Sequence, residues 1–595
     1  MGNELSVTFH GGAGTVTGSC MEYCHDGKRL LVDCGLFQGS RTLEALNRSP
    51  FAFSAKQVDA VILTHAHIDH SGLLPRLVAE GFNGDIWCTA PTSALLQFML
   101  ADGGRIQESD AARRNRRRDR AGQPPFEPLY TEEDGLAAWR QSSAVALEQW
   151  FEPIPGFRAR LWNAGHILGS ASVELEVAGV HILCSGDLGP EHKAFHPDPQ
   201  SPAGFDHVIC EATYGDRKRD HLTIEERRRL LGAEVNAALR RGGNLVIPVF
   251  ALERTQELLL DLAALIGSNS IPATEIFIDS PLASSATGVF AKYAEALEDL
   301  DGAVFNHPAF HFVEDVNASI RLNSVSGAII LAASGMCEGG RIRHHLKHNL
   351  ARRDSTILFV GYQADGSLGR IILDGATRVR LSGEDIAVRA EIRRIDSYSA
   401  HADEDDLLAW LGARQPIAGS LFLSHGEAPA IETLRRLAQS RDYAATIVAP
   451  AMGETYRLPA GGPARRTKTG DPALQAAIGR DWQNSYADFV TNLKAELAQI
   501  EDAATRARAV AAMREVLIRY QQVRAARKGG DDRRPLRKAS PDLRHELERP
   551  ARGHGAPRHG ALGAHHLGPR APAEGEAHAR VQQRGAGVEP HLLLE

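Results

Sequence analysis

Short apolar runs that stop at a glycine, an acidic residue or a histidine recur along the N-terminal part of the chain. Ser6-Val-Thr-Phe9, Leu30-Leu-Val32, Val61-Ile-Leu63, Ile182-Leu-Cys184 and Val208-Ile-Cys210 are of this kind. They predict short buried strands joined by glycine turns. Asp33, His65, Asp187 and Glu211 follow these runs closely, and His425 follows Leu421-Phe-Leu-Ser424 in the same way. Chemistry-bearing side chains at the carboxyl ends of strands are where open sheets present their sites, so one composite site is implied.

From about Phe205 to Arg380 the pattern changes to strand then helix, several times over. Apolar stretches at 244–250, 275–279, 328–331 and 356–360 each precede a helical pattern, at 253–265, 283–297, 341–350 and 368–373. This alternation predicts a parallel α/β layer, and the fold class of the whole is α/β. Short strands return at 386–395, followed by a helix near Leu407 to Trp410. Residues 472–527 read as a helical appendage, with apolar periodicity at 489–500 and 510–520. It can pack on the body or pair with a second copy, so a homodimer is one expectation. Beyond Lys528 the composition shifts to Arg, His, Pro, Gly and Ala, which predicts a disordered tail.

Composition then narrows the class. A hydrophobic fraction of 43% and a charged fraction of 24% over 595 residues are ordinary for a soluble globular chain of several domains. No apolar run approaches the roughly 20 residues of a membrane span, and no secretion signal is visible, so a cytoplasmic protein without membrane contact is expected. Seven cysteines, spread singly, read as reduced buried thiols. The net charge of −7 makes any polyanion site a local patch.

The densest chemistry is Thr64-His-Ala-His-Ile-Asp-His-Ser-Gly72. His65 and His67 can face one ion while Asp69 and His70 turn toward a second. Imidazole with carboxylate suits zinc, with manganese or iron as alternatives. His166, set between Gly165 and Gly169, is a candidate third imidazole. Arginines between Arg113 and Arg120 match a solvated face better than a phosphate track. Two glycine-rich turns are different: Ser334-Gly-Met-Cys-Glu-Gly-Gly-Arg341, beside His345, and Gly361 to Arg370. Turns that open helices offer backbone N–H groups to anions, so Ser334, Gly335, Gly339, Gly340, Arg341, His345 and Arg370 are candidate phosphate contacts.

Over about Ser6 to Arg457 these motifs resemble the metallo-β-lactamase superfamily, in particular its β-CASP branch of RNA-processing nucleases. Asp33, His65-x-His67-x-Asp69-His70, His166 and Asp187 carry the superfamily resemblance. Glu211, Ser399-Ala-His401-Ala-Asp403 and His425-Gly-Glu427 carry that of the branch. The Gly-Met-Cys-x-Gly-Gly-Arg turn is similar to bacterial and archaeal relatives of the cleavage-and-polyadenylation endonuclease. The resemblance implies an αββα sandwich interrupted by a β-CASP domain. The expected parts are 1–204, the inserted 205–384, the returning 385–460, the appendage 470–527 and the tail 528–595.

It also implies roles. His65, His67 and His166 would hold one zinc, Asp69, His70 and His425 the other, and Asp187 would bridge them, with Asp33 steadying ligands. Manganese is a possible substitute. Glu211 and His401 would serve the leaving oxygen, with Asp69 and Asp187 also counted as catalytic. The implied partner is RNA rather than DNA, because His425 stands where DNA-directed members carry an aliphatic residue. The implied reaction is phosphodiester hydrolysis by a metal-bridging hydroxide, leaving 5′-phosphate and 3′-hydroxyl ends, with internal cleavage expected. A 5′-to-3′ exonuclease, a small-molecule thioester or lactam hydrolase and an inactive RNA-binding scaffold are the competing readings.

Overall fold

The computed structural model describes residues 4–528 apart from 121, 220–221, 299, 362, 364–366, 382, 473, 475–496, 498 and 501. Two sheets are stacked face to face. The first runs Arg465–Lys468, Thr455–Arg457, Ser6–Gly11, Cys20–His25, Lys28–Val32, Ala60–Ile62, Ile86–Thr89 and Ser142–Val145. The second runs Ala444–Val448, Ile417–Ser424, Phe205–Glu211, Val180–Cys184, Ala171–Val177, Phe157–Asn163 and Phe151–Ile154. Alternate residues of each strand serve opposite faces, as the pleat requires. Leu30, Val32 and Ile62 meet Val173, Ile182, Ile209 and Phe422 between the sheets. Leu31, Val61 and Leu63 turn outward to Leu74, Leu77, Leu96 and Leu100 of the flanking helices. On the other side Val208, Cys210, Leu421 and Leu423 pack against Leu407, Leu411, Ile431 and Leu434. Strands buried on both faces have no polar side, which explains the unbroken apolar runs. The layering is αββα.

Between Glu211 and the return strand Ile417–Ser424 lies a separate parallel sheet. Its order is Phe310–Phe312, Ile276–Asp279, Ile329–Ala332, Leu245–Pro248, Thr356–Phe359 and Glu391–Arg394. Leu245, Ile247 and Leu331 face the helices Ile224–Arg240 and Arg254–Gly267, while Val246, Ile330 and Ile357 face Ile342, Leu346 and Ile372. Two details differ from the periodicity. The expected 283–297 helix is Pro281–Lys292, followed by a short 3-10 turn at Ala294–Ala296. The expected strands at 386–395 separate into Glu384–Ala387 and Glu391–Arg394, and the latter pairs with Thr356–Phe359. The inserted sheet therefore takes its edge strand from beyond residue 384.

The helix Ala90–Arg120 carries the arginine run on its last turns. The helix Ala503–Lys528 belongs to a second unit, apart from the first. The expected periodic helix at 489–500 lies largely, and the tail after 528 wholly, outside the described residues. Among the described residues no helix is long and apolar enough to cross a membrane.

Candidate metal centre

Every predicted ligand stands just past the carboxyl end of a strand or just before one, with Asp69 and His70 on the short helix Ile68–Ser71. Asp33 follows Lys28–Val32, the 65–70 loop follows Ala60–Ile62, and His166 precedes Ala171–Val177. Asp187 follows Val180–Cys184, and His425 follows Ile417–Ser424 with a φ of 46°. Two groups of side chains result. His65, His67, His166 and Asp187 form one, and Asp69, His70, Asp187 and His425 the other, with the donor atoms of each group within 4.8 Å of one another.

Asp187 belongs to both groups through different oxygens. Its Oδ2 lies 3.7 Å from Nε2 of His65 and of His166. Its Oδ1 lies 3.2 Å from His70 Nε2 and 3.3 Å from His425 Nδ1. Within the first group His67 Nδ1 stands 3.1 Å from both His65 Nε2 and His166 Nε2. Within the second, the Nε2 atoms of His70 and His425 are 3.2 Å apart, and His425 Nε2 is 3.5 Å from Asp69 Oδ2. A four-coordinate ion with bonds near 2.05 Å has donor–donor edges of about 3.3 Å, so both groups match its dimensions. Asp69 Oδ1 and Asp187 Oδ1 are buried and accept no hydrogen bond, which leaves their charge available to a cation.

The second layer sets the tautomers. His166 Nδ1 lies 2.9 Å from the carbonyl oxygen of Ala400 and donates to it, leaving Nε2 for the centre. His70 Nδ1 lies 2.7 Å from Asp33 Oδ2, with the same result. Asp33 is held in turn by Thr64, whose backbone N–H and hydroxyl donate to Oδ1 at 2.9 and 3.0 Å, and by the Ser19 hydroxyl at 3.2 Å.

The electrostatics of the two groups differ. Burial pushes His65, His67 and His166 down, His67 to about 4, so these three imidazoles are neutral and ready to ligate. For His70 and His425, burial is outweighed by the Asp187 carboxylate, joined by Asp33 and Asp69 at His70 and by Asp69 at His425. Both are held up. Against burial, His425 and His70 pull Asp187 well below the usual carboxylate range. The carboxylates here thus favour positive charge on this side of the centre, and a metal bound there would compete with protons for these imidazoles.

Glu211 ends the strand Phe205–Glu211 and accepts from the backbone N–H of Leu188 at 2.6 Å and of Thr213 at 3.1 Å. His401 Nδ1 is 3.5 Å from Glu211 Oε1 and 3.9 Å from Asp187 Oδ2. At 21% side-chain exposure, His401 faces the opening while Glu211 is fully buried.

The candidate phosphate contacts divide. A cavity of about 220 Å³ runs from Ile68 of the metal loop and Met99 to Ser334, Gly339, Gly340 and Arg341 of the inserted domain. The Arg341 guanidinium there donates to Asp279 Oδ1 at 2.6 Å and to the carbonyl oxygens of Val313 and Glu314. His345 is buried behind it, with Nε2 2.6 Å from Asp279 Oδ2. Gly335 lies against Phe250, and Arg370 pairs with Asp374 at 2.9 Å. Sequence reasoning missed Ser19, Thr64 and the Ala400 carbonyl; Thr64 and Ala400 each stand beside a motif histidine, whereas Ser19 meets Asp33 only through the fold.

Three family models match the chain: Metallo-beta-lactamase superfamily over residues 13–220, Beta-Casp domain over 255–372, and Zn-dependent metallo-hydrolase RNA specificity domain over 385–450. Among similar proteins, Ribonuclease TTHA0252 of Thermus thermophilus is 35% identical over 441 residues, covering 73% of this chain and 96% of its own length. Transcription termination factor FttA of Methanosarcina mazei is 30% identical, covering 71% of this chain and 67% of its own. An RNase J-like protein of Methanocaldococcus jannaschii is 30% identical, covering 71% and 92%. With its paired ligand groups, its inserted parallel sheet and these relatives, the chain belongs to the metallo-β-lactamase superfamily, in its β-CASP branch of RNA-processing nucleases.

Proposed function

We propose that the protein is a two-zinc ribonuclease that cuts RNA internally and leaves 5′-phosphate and 3′-hydroxyl ends. The observation that carries this reading is Asp187, whose two oxygens face two separate ligand groups. His65, His67 and His166 would hold one ion, Asp69, His70 and His425 the other, with Asp187 between them. Two such ions activate a shared water and neutralise charge on the in-line phosphate oxygens. The chain's own residues do the rest. Asp33 fixes the His70 tautomer through their 2.7 Å contact. His401 stands at the opening, where its ring can give a proton to the departing 3′-oxygen, and Glu211 orients it from the buried side. The cavity along Ser334, Gly339 and Gly340 supports an RNA strand passing between the two domains, with Arg341 locked in its wall. RNA over DNA is the expected preference, because the RNA specificity domain matches residues 385–450, which hold His425.

The test joins metal analysis with circular RNA. Two zinc equivalents in the purified protein, cutting of the circle, and loss of cutting in His67→Ala are expected. A His67→Ala variant with full activity would sink the two-metal mechanism. Resistance of the circle with release of mononucleotides would replace internal cleavage by 5′-end digestion.

A further inference from the structure

The segment after Asp187 holds a buried cluster that plays no part in the mechanism above. Lys193, His196 and Glu253 have side-chain exposures of 2, 2 and 3%. Lys193 and His196 lie just past a metal ligand, whereas Glu253 belongs to the inserted domain, immediately before the helix Arg254–Gly267. Lys193 Nζ and His196 Nε2 each stand 2.7 Å from Glu253 Oε1. The same Lys193 ammonium donates to the backbone carbonyl oxygen of His166 at 2.5 Å.

Glu253 sits there against its backbone preference. Its φ of 70° and ψ of −64° form a tight three-residue turn, closed by the Arg254 N–H donating to the Leu252 carbonyl at 2.9 Å. Such a turn is strained for a residue with a Cβ, and strain of this kind persists where surrounding contacts over-determine it. Glu253 also occupies the cap position of its helix without capping it. Its carboxylate is turned away from the helix and onto Lys193. The inserted domain grips the segment a second time, through the Glu298 N–H donating to the Phe195 carbonyl at 2.9 Å.

His166 is thereby held at every polar group except the nitrogen that faces the centre. Its Nδ1 donates to the Ala400 carbonyl at 2.9 Å, its N–H donates to Ser170 Oγ at 3.0 Å, and its carbonyl accepts from Lys193. We propose that Lys193, clamped by Glu253 of the inserted domain, is a positioning residue for the metal ligand His166. The inserted domain then acts on the metal centre directly, as well as shaping the RNA path. This inference rests on the two-metal reading of the site.

A buried ion pair can instead serve the fold alone, so the test separates the two roles. The parent, Lys193→Met, Glu253→Gln and the Lys193→Met/Glu253→Gln double variant are stripped of metal. Their thermal midpoints are recorded, and zinc affinities are then measured by chelator competition, with cobalt(II) absorption reporting ligand geometry. Lys193→Met leaves Glu253 without its ammonium, and its midpoint falls. The double variant removes both charges and recovers the midpoint. Zinc affinity at one of the two sites stays about 10- to 100-fold below the parent in the double variant, with an altered cobalt spectrum, while the other site is unchanged. Should Lys193→Met fail to fold, the double variant and Glu253→Gln carry the same comparison. Parent-like zinc affinity and cobalt spectrum in the double variant overturn the positioning role. A parent that binds no zinc overturns the two-metal reading itself, a result distinct from a parent with two zincs and an unaffected double variant.

Discussion

At the scale of single residues, the centre depends on groups one hydrogen bond away from the ligands. Asp33 is fully buried and carries three donors besides His70. Replacing it with Asn removes the charge that sets the His70 tautomer. We expect Asp33→Asn to lower zinc affinity about 10- to 100-fold with the fold intact, read by chelator competition. His401 differs in kind, because it belongs to neither ligand group. His401→Ala is expected to retain both metals and to lose about 10²- to 10⁴-fold in cleavage rate. Loss of zinc in that variant would reassign His401 to the metal shell. The 65–70 loop was legible in the sequence because its ligands are contiguous, and spacing alone brings them together. The Arg341 environment was not. Asp279 lies 62 positions away and reaches Arg341 only because Ile276–Asp279 runs parallel beside Ile329–Ala332.

At the scale of elements, the metal loop is held by the loop that follows Lys28–Val32 and by the residue that precedes the strand Cys20–His25. The N–H groups of Ser19, Cys34 and Leu36 donate to the carbonyls of Asp69, His70 and Ile68 at 2.8 to 2.9 Å. This close approach explains Gly35, where a Cβ would stand 1.6 Å from the Asp69 carbonyl oxygen. Gly35→Ala must push the two loops apart. We expect a loss of about 1–3 kcal/mol or more, together with weakened metal binding, by denaturant titration and zinc analysis. A second element-scale prediction concerns the helix at Arg254. Burial would raise the Glu253 carboxyl, but His196 and Lys193 outweigh it and hold it at about 2. His196 is itself lowered by burial against the pull of Glu253, and Lys193 pairs with the same Glu253 oxygen at 2.7 Å. A depressed carboxyl stabilises above its unfolded value near 4.5 and loses that contribution as pH falls toward 2. The metal-free parent should lose about 3 kcal/mol from this group over that window. Glu253→Gln lacks the group, so its stability gap to the parent should narrow below pH 4.5, and a constant gap would exclude this linkage.

At the scale of the whole molecule, the centre joins segments from both stacked sheets, from Asp33 after the strand Lys28–Val32 to His425 after the return strand Ile417–Ser424. Ions bound there would cross-link the two layers and stabilise the native state by mass action, by about 4 kcal/mol per site at a thousandfold excess over Kd. Chelation is therefore expected to lower the thermal midpoint, and zinc to restore it; an unchanged midpoint would separate metal from folding. The sequence by itself determined the dense 65–70 cluster, the strand-end grammar and the inserted α/β layer, each written in local spacing, in apolar runs for doubly buried strands and in alternating strand and helix periods. The αββα layering and the grouping of His166, Asp187 and His425 with that cluster came from the family resemblance of its motifs. Only the tertiary structure decided which oxygen of Asp187 faces which histidines, that Arg341 is bound to Asp279, that the inserted sheet continues to Arg394, and that Lys193 ties Glu253 to His166. Those facts are distances between residues far apart in the chain, set by sheet register and by the meeting of two domains, and no local pattern encodes them.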